Sequence, residues 1–198
     1  AISFGRSGNG PLAELAAIKE YAEPLEPKIV LWLYFVNDLM SDLQIEMQSS
    51  ILRKYLEENN YSQNLFSRQE EINGVLKNYI KHEFTKERET RWVTTTRIKG
   101  ILKLVNLREM INLRSTFTTT PTSSPIFRDI LQKSKQIISE WDGKMYFVYL
   151  SPFERYSIGN KFPNHDFVMQ TATELDIPII DIHSKVFAPH PDPLSLFP

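Results

Sequence analysis

The sequence predicts a three-layer α/β/α sandwich with a parallel sheet. Two long runs, 28–35 and 144–150, are almost entirely apolar and rich in β-forming residues, which is typical of strands buried on both faces. Segments with helical apolar spacing lie between the predicted strands. Strands that alternate with helices predict a parallel sheet covered on both sides. The 198 residues suit a single domain.

The first third of the chain starts this alternation. We interpret the short apolar stretch Ala1–Phe4 as a first strand, followed by a glycine-rich turn over residues 5–11. Three of the seven glycines lie in this turn, which indicates special backbone angles or close approach of a ligand. Pro11 suits the first turn of a helix, whose apolar spacing ends near Pro24.

The middle of the chain has a different character. Residues from about 42 to 118 are charged and have helical apolar spacing, so we predict a helical insertion that caps the domain. A Thr-, Ser- and Pro-rich stretch over 116–125 predicts a loop. The α/β alternation then resumes, with helices predicted over 126–141 and 166–175 and strands over 144–150 and 177–182.

Composition excludes several classes of function. The formal net charge is −1, with basic and acidic residues intermixed, so no basic face selects nucleic acid. The absence of cysteine excludes disulfides, thiolate nucleophiles and Cys-ligated zinc. No apolar run approaches the ~20 residues of a membrane-spanning helix, and no signal peptide is visible. The chain is expected to be soluble as given, with any membrane anchor or export signal in a segment of the parent protein outside it.

Polar residues follow each predicted strand. In open parallel sheets, ligands bind beyond the carboxyl ends of the strands, so these residues are candidates for one shared cleft. The candidates are Ser7, Gly8, Asn9, Asn37, Asp38, Ser151, Arg155, Asp181, His183, His190 and Asp192.

The same residues also have structural interpretations. Ser7 suits a turn better than a nucleophile, and we expect Asp38 to cap a helix. His183 with Asp181, or His190 with Asp192, would form an orienting pair or part of a metal site. No complete set of metal ligands is apparent, so we predict no metal and no cofactor.

Three segments resemble the conserved blocks of the SGNH/GDSL hydrolase superfamily. Gly5-Arg-Ser-Gly-Asn-Gly-Pro11 resembles the second block, and Tyr34-Phe-Val-Asn-Asp-Leu39 resembles the third, usually Gly-x-Asn-Asp. The tail 180–198 resembles the approach to the last block in bacterial members. The resemblance implies a flavodoxin-like SGNH fold and a serine-dependent ester hydrolase or O-acyl transferase, with a small-molecule or carbohydrate ester as substrate. It also implies that the Gly8 N–H and the Asn37 amide are oxyanion donors.

The chain departs from that family pattern in three places. Phe35 stands where the third block has glycine, no Gly-Asp-Ser nucleophile turn occurs, and the chain stops before a terminal histidine block. We expect the serine and histidine to lie beyond the two ends and the chain as given to be inactive. The rival hypothesis is a non-catalytic binding or assembly module that keeps the fold and uses the helical insertion as its interaction surface. The acyl group, the acceptor and the oligomeric state stay open.

Overall fold

A parallel sheet of three strands organises the protein. The computed structural model describes residues 1–5, 8–82, 124–157 and 164–197. Within them, β1 (Ile29–Tyr34), β2 (Lys144–Tyr149) and β3 (Ile179–Asp181) pair in the order β1-β2-β3, and both pairings are parallel. The register places Tyr34, Tyr149 and Asp181 in one row at the carboxyl end of the sheet. The predicted α/β class with a parallel sheet is confirmed.

Helices connect the strands and extend from both ends of the sheet. The α-helices are α1 (Pro11–Ala17), α2 (Leu43–Glu46), α3 (Ser50–Glu57), α4 (69–82), α5 (Ser124–Glu140), α6 (Glu154–Ser157) and α7 (His165–Glu174). Turns of π-helix cover Ile18–Ala22, Asp38–Asp42 and His183–Phe187, and 3₁₀ turns cover Glu23–Leu25 and Pro193–Leu196. Two of the π turns, at Asp38 and at His183, come within four residues of the end of a strand.

The stretch Ala1–Phe4 is not a strand, contrary to the prediction. Residues 1–5 have no regular structure and are exposed, although Phe4 stacks on Tyr21 with ring centroids 5.7 Å apart. A strand exists only where a neighbouring strand accepts and donates its backbone hydrogen bonds, and none of the described residues pairs with this stretch. Apolar composition alone was therefore insufficient for this assignment.

The two faces of β1 differ in burial. Trp32 and Tyr34 point into a core shared with α1, α5 and α7, and Tyr34 stacks on the rings of Phe147 and Tyr149 at 5.7 Å each. The opposite face of β1 carries Ile29, Leu31 and Leu33, which are 60%, 56% and 46% exposed. The prediction that this strand is buried on both faces is therefore wrong within the described residues, because one face of β1 has no layer over it.

The chain divides into two compact units. One comprises residues 1–66 and 120–198, and the other comprises residues 67–119. Helices α2 and α3, which the sequence assigns to the insertion, belong to the first unit, where α3 packs against α1. Only α4 of the second unit is described. The predicted insertion beyond residue 82 and most of the predicted loop over 116–125 lie outside the described residues. Helix α5 begins at Ser124, two residues earlier than predicted.

None of the helices in the described part of the chain is long and apolar enough to cross a membrane.

Candidate functional site

The chain leaves β1 through a tight, hydrogen-bonded turn. The carboxylate of Asp38 accepts the backbone N–H of Phe35 at 2.8 Å and is almost fully buried. Burial raises the pKa of Asp38 to about 7, with the Asp42 and Glu46 charges acting in the same direction and the Phe35 hydrogen bond opposing it. Asp38 thus closes the strand exit by binding back to Phe35, whereas the expected role was a helix cap.

Asn37 is the last residue before the π turn that follows β1. Its side-chain Nδ2 donates to Oδ2 of Asp42 at 2.6 Å. A π turn joins residues five apart, which explains why the side chains of residues 37 and 42 meet. An amide nitrogen carries two hydrogens, so Nδ2 retains a second N–H for another acceptor. Asn37 is half-buried.

The glycine-rich turn has the special backbone geometry that the sequence predicts at Gly8. Gly8 has φ of +85°, in the left-handed region, and no heavy atom lies within 4 Å of the place a Cβ would occupy. An acceptor can therefore approach this peptide closely. Asn9 is half-buried, and Ser7 lies outside the described residues.

A distant carboxylate holds the start of α1. Oε1 of Glu46 accepts the Gly10 N–H at 2.7 Å and the Ala13 N–H at 3.3 Å, and Oε2 accepts the Leu12 N–H at 2.9 Å. Helix α1 has Gly10 at its N-cap position and no side-chain cap, so its first amides need an acceptor from elsewhere. Glu46 supplies that acceptor from α2.

Gly10 makes this contact possible because it has no side chain. A Cβ there would stand 2.7 Å from Oε2 of Glu46 and 2.8 Å from Cβ of Asp42. The backbone of the glycine-rich turn therefore touches the segment that begins at Asn37.

Helix α1 also carries a buried carboxyl group. Oε2 of Glu14 is buried and has no hydrogen-bond partner in the described part of the chain. Burial, aided by the Asp38 and Glu46 charges, raises the pKa of Glu14 well above its ordinary value.

The exits of β2 and β3 bring a second group of side chains together. The Tyr156 hydroxyl in α6 lies 2.8 Å from Nδ1 of His183, which follows β3. Burial lowers the pKa of His183, the nearby Arg155 guanidinium lowers it further, and the Asp181 carboxylate opposes both. These effects favour the neutral form of His183. Arg155 also acts on Tyr149, where it opposes the rise in pKa that burial causes.

The histidine–aspartate pairs considered from the sequence do not form through their side chains. Asp181 accepts the backbone N–H of His183 at 2.9 Å rather than its ring. Nδ1 of His190 lies 2.8 Å from the Asp192 carbonyl and 3.2 Å from its amide nitrogen, both main-chain atoms. The described residues contain no group of three or more His, Cys, Asp or Glu side chains that could hold a metal ion.

Ser151 was a candidate from the sequence, whereas His165, Glu46 and Asp42 were not singled out there. Ser151 is buried, and its side-chain hydrogen bond to Tyr156 opposes the rise in pKa that burial causes in that tyrosine. Nε2 of His165, whose ring meets Tyr149 edge-on at 4.8 Å, is buried and has no hydrogen-bond partner among the described residues. The sequence did contain one indication of the Glu46 contact. A helix that starts at Gly10-Pro11 has no capping side chain, so its first amides need an acceptor from another part of the chain. Asp42 carried no such signal.

A separate polar cavity of about 540 Å³ lies on the helical side of the molecule. Its lining comes mainly from α3, α5 and the residues after α3, and includes Lys19 and Lys133. Nζ of Lys133 donates to the carbonyls of Leu56 and Glu58 at 2.8 and 3.0 Å. None of the sequence-predicted candidates lines this cavity.

No protein-family model, curated protein or solved structure matches the chain.

Proposed function

We propose that this chain supplies the oxyanion-binding part of an SGNH-type serine ester hydrolase or O-acyl transferase. The single observation that carries the proposal is the contact of Gly10, two residues after Gly8, with Asp42 and Glu46 in the segment that follows Asn37. One side offers a backbone N–H in an open, left-handed turn, and the other offers a side-chain amide with an N–H to spare. Asn37 follows the carboxyl end of β1, where parallel sheets bind ligands, and the turn that carries Gly8 meets the segment after Asn37 through Gly10.

The chemistry assigned to these donors is acyl transfer. A serine Oγ attacks the ester carbonyl carbon while a histidine takes the serine proton, and the carbonyl oxygen becomes an oxyanion. The bond to the alcohol then breaks, and the histidine returns the proton to the leaving alcohol. Each preorganised donor to the oxyanion is worth about 3 kcal/mol of barrier. The proposal places both the serine and the histidine outside these 198 residues and requires no cofactor.

The finer fold assignment belongs to the same proposal. A flavodoxin-like sandwich has helices on both sheet faces, and we assign the missing layer to the exposed face of β1. The exposed row of Ile29, Leu31 and Leu33 supports this, since strands of parallel sheets normally bury both faces.

The same exposed row also favours the second candidate function, a non-catalytic binding or assembly module. Contiguous exposed apolar side chains mark interaction surfaces as well as incomplete layers. Under this alternative, the turn at Gly8 and the amide of Asn37 have structural roles only.

Labelling with a serine-directed fluorophosphonate distinguishes the two functions. The protein expressed from its complete reading frame is assayed with p-nitrophenyl acetate, then labelled and mapped by mass spectrometry. The proposal predicts hydrolysis, its abolition by the label, and one labelled serine outside residues 1–198. An adduct on Ser7 would replace the assigned nucleophile. The absence of both hydrolysis and labelling would favour the binding module.

A further inference from the structure

We propose that Asp42 and Glu46 are positioning residues that tie both oxyanion donors to one short helical segment. This inference rests on the proposed function. Neither carboxylate reaches the reacting atoms in this account. Each acts through another group, Asp42 through the Asn37 amide and Glu46 through the Gly10 peptide.

The contact of Asp42 with Asn37 fixes one donor. An asparagine side chain at a strand exit can rotate about χ1 and χ2, and a charge-assisted hydrogen bond restricts that rotation. The 2.6 Å contact from Nδ2 to Oδ2 of Asp42 uses one amide hydrogen and leaves the other in a defined direction. Ser41 supports the carboxylate, because its hydroxyl donates to Oδ1 of Asp42 at 2.9 Å.

The contact of Glu46 with Gly10 fixes the other donor. The Gly10 amide lies two residues after Gly8, so a bond from Gly10 to Oε1 of Glu46 at 2.7 Å limits how far the turn can move. Two further amides of α1 bind the same carboxylate, so the turn and the helix start share one anchor.

The two anchors belong to one rigid stretch of chain. Asp42 ends the π turn and Glu46 ends α2, with no loop between these two elements. The two donors come from parts of the chain almost thirty residues apart, and this stretch sets their separation. Donors are effective only when they are placed before the oxyanion forms, and small displacements reduce catalysis strongly.

The test is a double-mutant cycle in the protein expressed from its complete reading frame. Asp42→Asn is expected to lower kcat for p-nitrophenyl acetate about tenfold with KM unchanged, because the donor remains but loses its orientation. In an Asn37→Ala background, the same substitution is expected to change kcat by less than about twofold. Asp129→Asn, an exposed carboxylate on α5, is the matched control.

A second variant tests the other anchor without removing a charge. Gly10 has φ of −107° and ψ of −173°, which alanine adopts freely, so Gly10→Ala adds only the Cβ that would collide with Glu46 and Asp42. We expect kcat to fall about tenfold with KM unchanged. Gly74→Ala, where nothing lies within 4 Å of the added Cβ, is the control.

A spectroscopic measurement keeps the proposal falsifiable without turnover. In the 198-residue chain, Asp42→Asn is expected to move a side-chain amide proton of Asn37 upfield in ¹⁵N-correlated NMR spectra, with Asp129→Asn leaving it in place. An unmoved resonance would overturn the positioning role. So would an equal loss of kcat in the wild-type and Asn37→Ala backgrounds. If Asn37→Ala itself leaves turnover unchanged while the resonance moves, the proposed function fails and the Asp42 contact stands.

Discussion

The exit of β1 and the exits of β2 and β3 use their polar side chains differently. After β1, Asp38, Asp42 and Glu46 each accept at least one N–H from another part of the turn or from α1. Near the exits of β2 and β3, Nε2 of His165 is buried without a hydrogen-bond partner in the described part of the chain.

The carboxylates at the exit of β1 hold that segment in place, and one of them, Asp38, also has a pKa raised to about 7. The Tyr156–His183 contact beyond β3 involves groups whose protonation responds to Arg155 and Asp181. The exit of β1 is therefore tied together by carboxylate hydrogen bonds, and groups with shifted pKa values lie at both exits.

The largest expected effect is on stability and tests the rigidity of the β1 exit. Glu46→Ala leaves the Gly10, Leu12 and Ala13 amides without their acceptor, and we expect it to lower the free energy of unfolding by about 3 kcal/mol in urea denaturation. Glu140→Ala, an exposed carboxylate on α5, should cost less than about 0.5 kcal/mol. Equal losses in the two variants would show that the three amide contacts of Glu46 add no stability to the β1 exit.

The pH dependence of stability tests the buried carboxyl beside the Phe35 turn. The pKa of Asp38 is about 7 in the folded chain, compared with an ordinary value of 3.8 for the unfolded chain. Between these two pH values, Asp38 is ionised in the unfolded chain but still protonated in the folded one. Stability therefore decreases as pH rises through this window, by up to about 1.4 kcal/mol per pH unit from this group.

Asp38→Asn removes that contribution, together with the effect of the Asp38 charge on the pKa of Glu14. The comparison is made by thermal or urea unfolding at intervals from pH 4 to pH 7. The slope of the wild type should be steeper than that of Asp38→Asn. Parallel curves would mean that Asp38 titrates alike in the folded and unfolded chain.

The smallest expected effect is on the titration of His183. Arg155→Gln removes the nearby positive charge that lowers the pKa of His183, so that pKa should rise. An NMR titration of the His183 ring follows it directly. Arg128→Gln, on α5 and paired with Glu174, should leave the His183 titration unchanged. No change on replacing Arg155 would show that its charge does not contribute to the pKa of His183.

Local sequence patterns were good predictors of individual strands and helices, but poor predictors of the contacts between these elements. The apolar runs before Asn37 and before Ser151 are long enough to be assigned from composition, and both are strands. Ala1–Phe4 has similar composition, but a strand depends on a neighbour that the local sequence does not reveal. The prediction that β1 is buried on both faces was wrong for the same reason, because the layer that covers a strand depends on tertiary structure.

The candidate site divides in the same way. The left-handed geometry at Gly8 was predictable, because clustered glycines indicate it locally. The Glu46 contacts join residues more than thirty positions apart, and a glutamate within a charged helical stretch looks like a solvated residue. Asp42 meets Asn37 only because the turn between them is a π turn, which apolar periodicity does not identify.

Replacement of Asn37 tests the central claim most directly. The protein expressed from its complete reading frame is compared with Asn37→Ala and with Asn59→Ala, an exposed asparagine after α3, in hydrolysis of p-nitrophenyl acetate. If Asn37 donates to the oxyanion, its loss lowers kcat by about 100-fold, while Asn59→Ala keeps the wild-type rate. Equal turnover in all three proteins would contradict the assignment of Asn37 as an oxyanion donor.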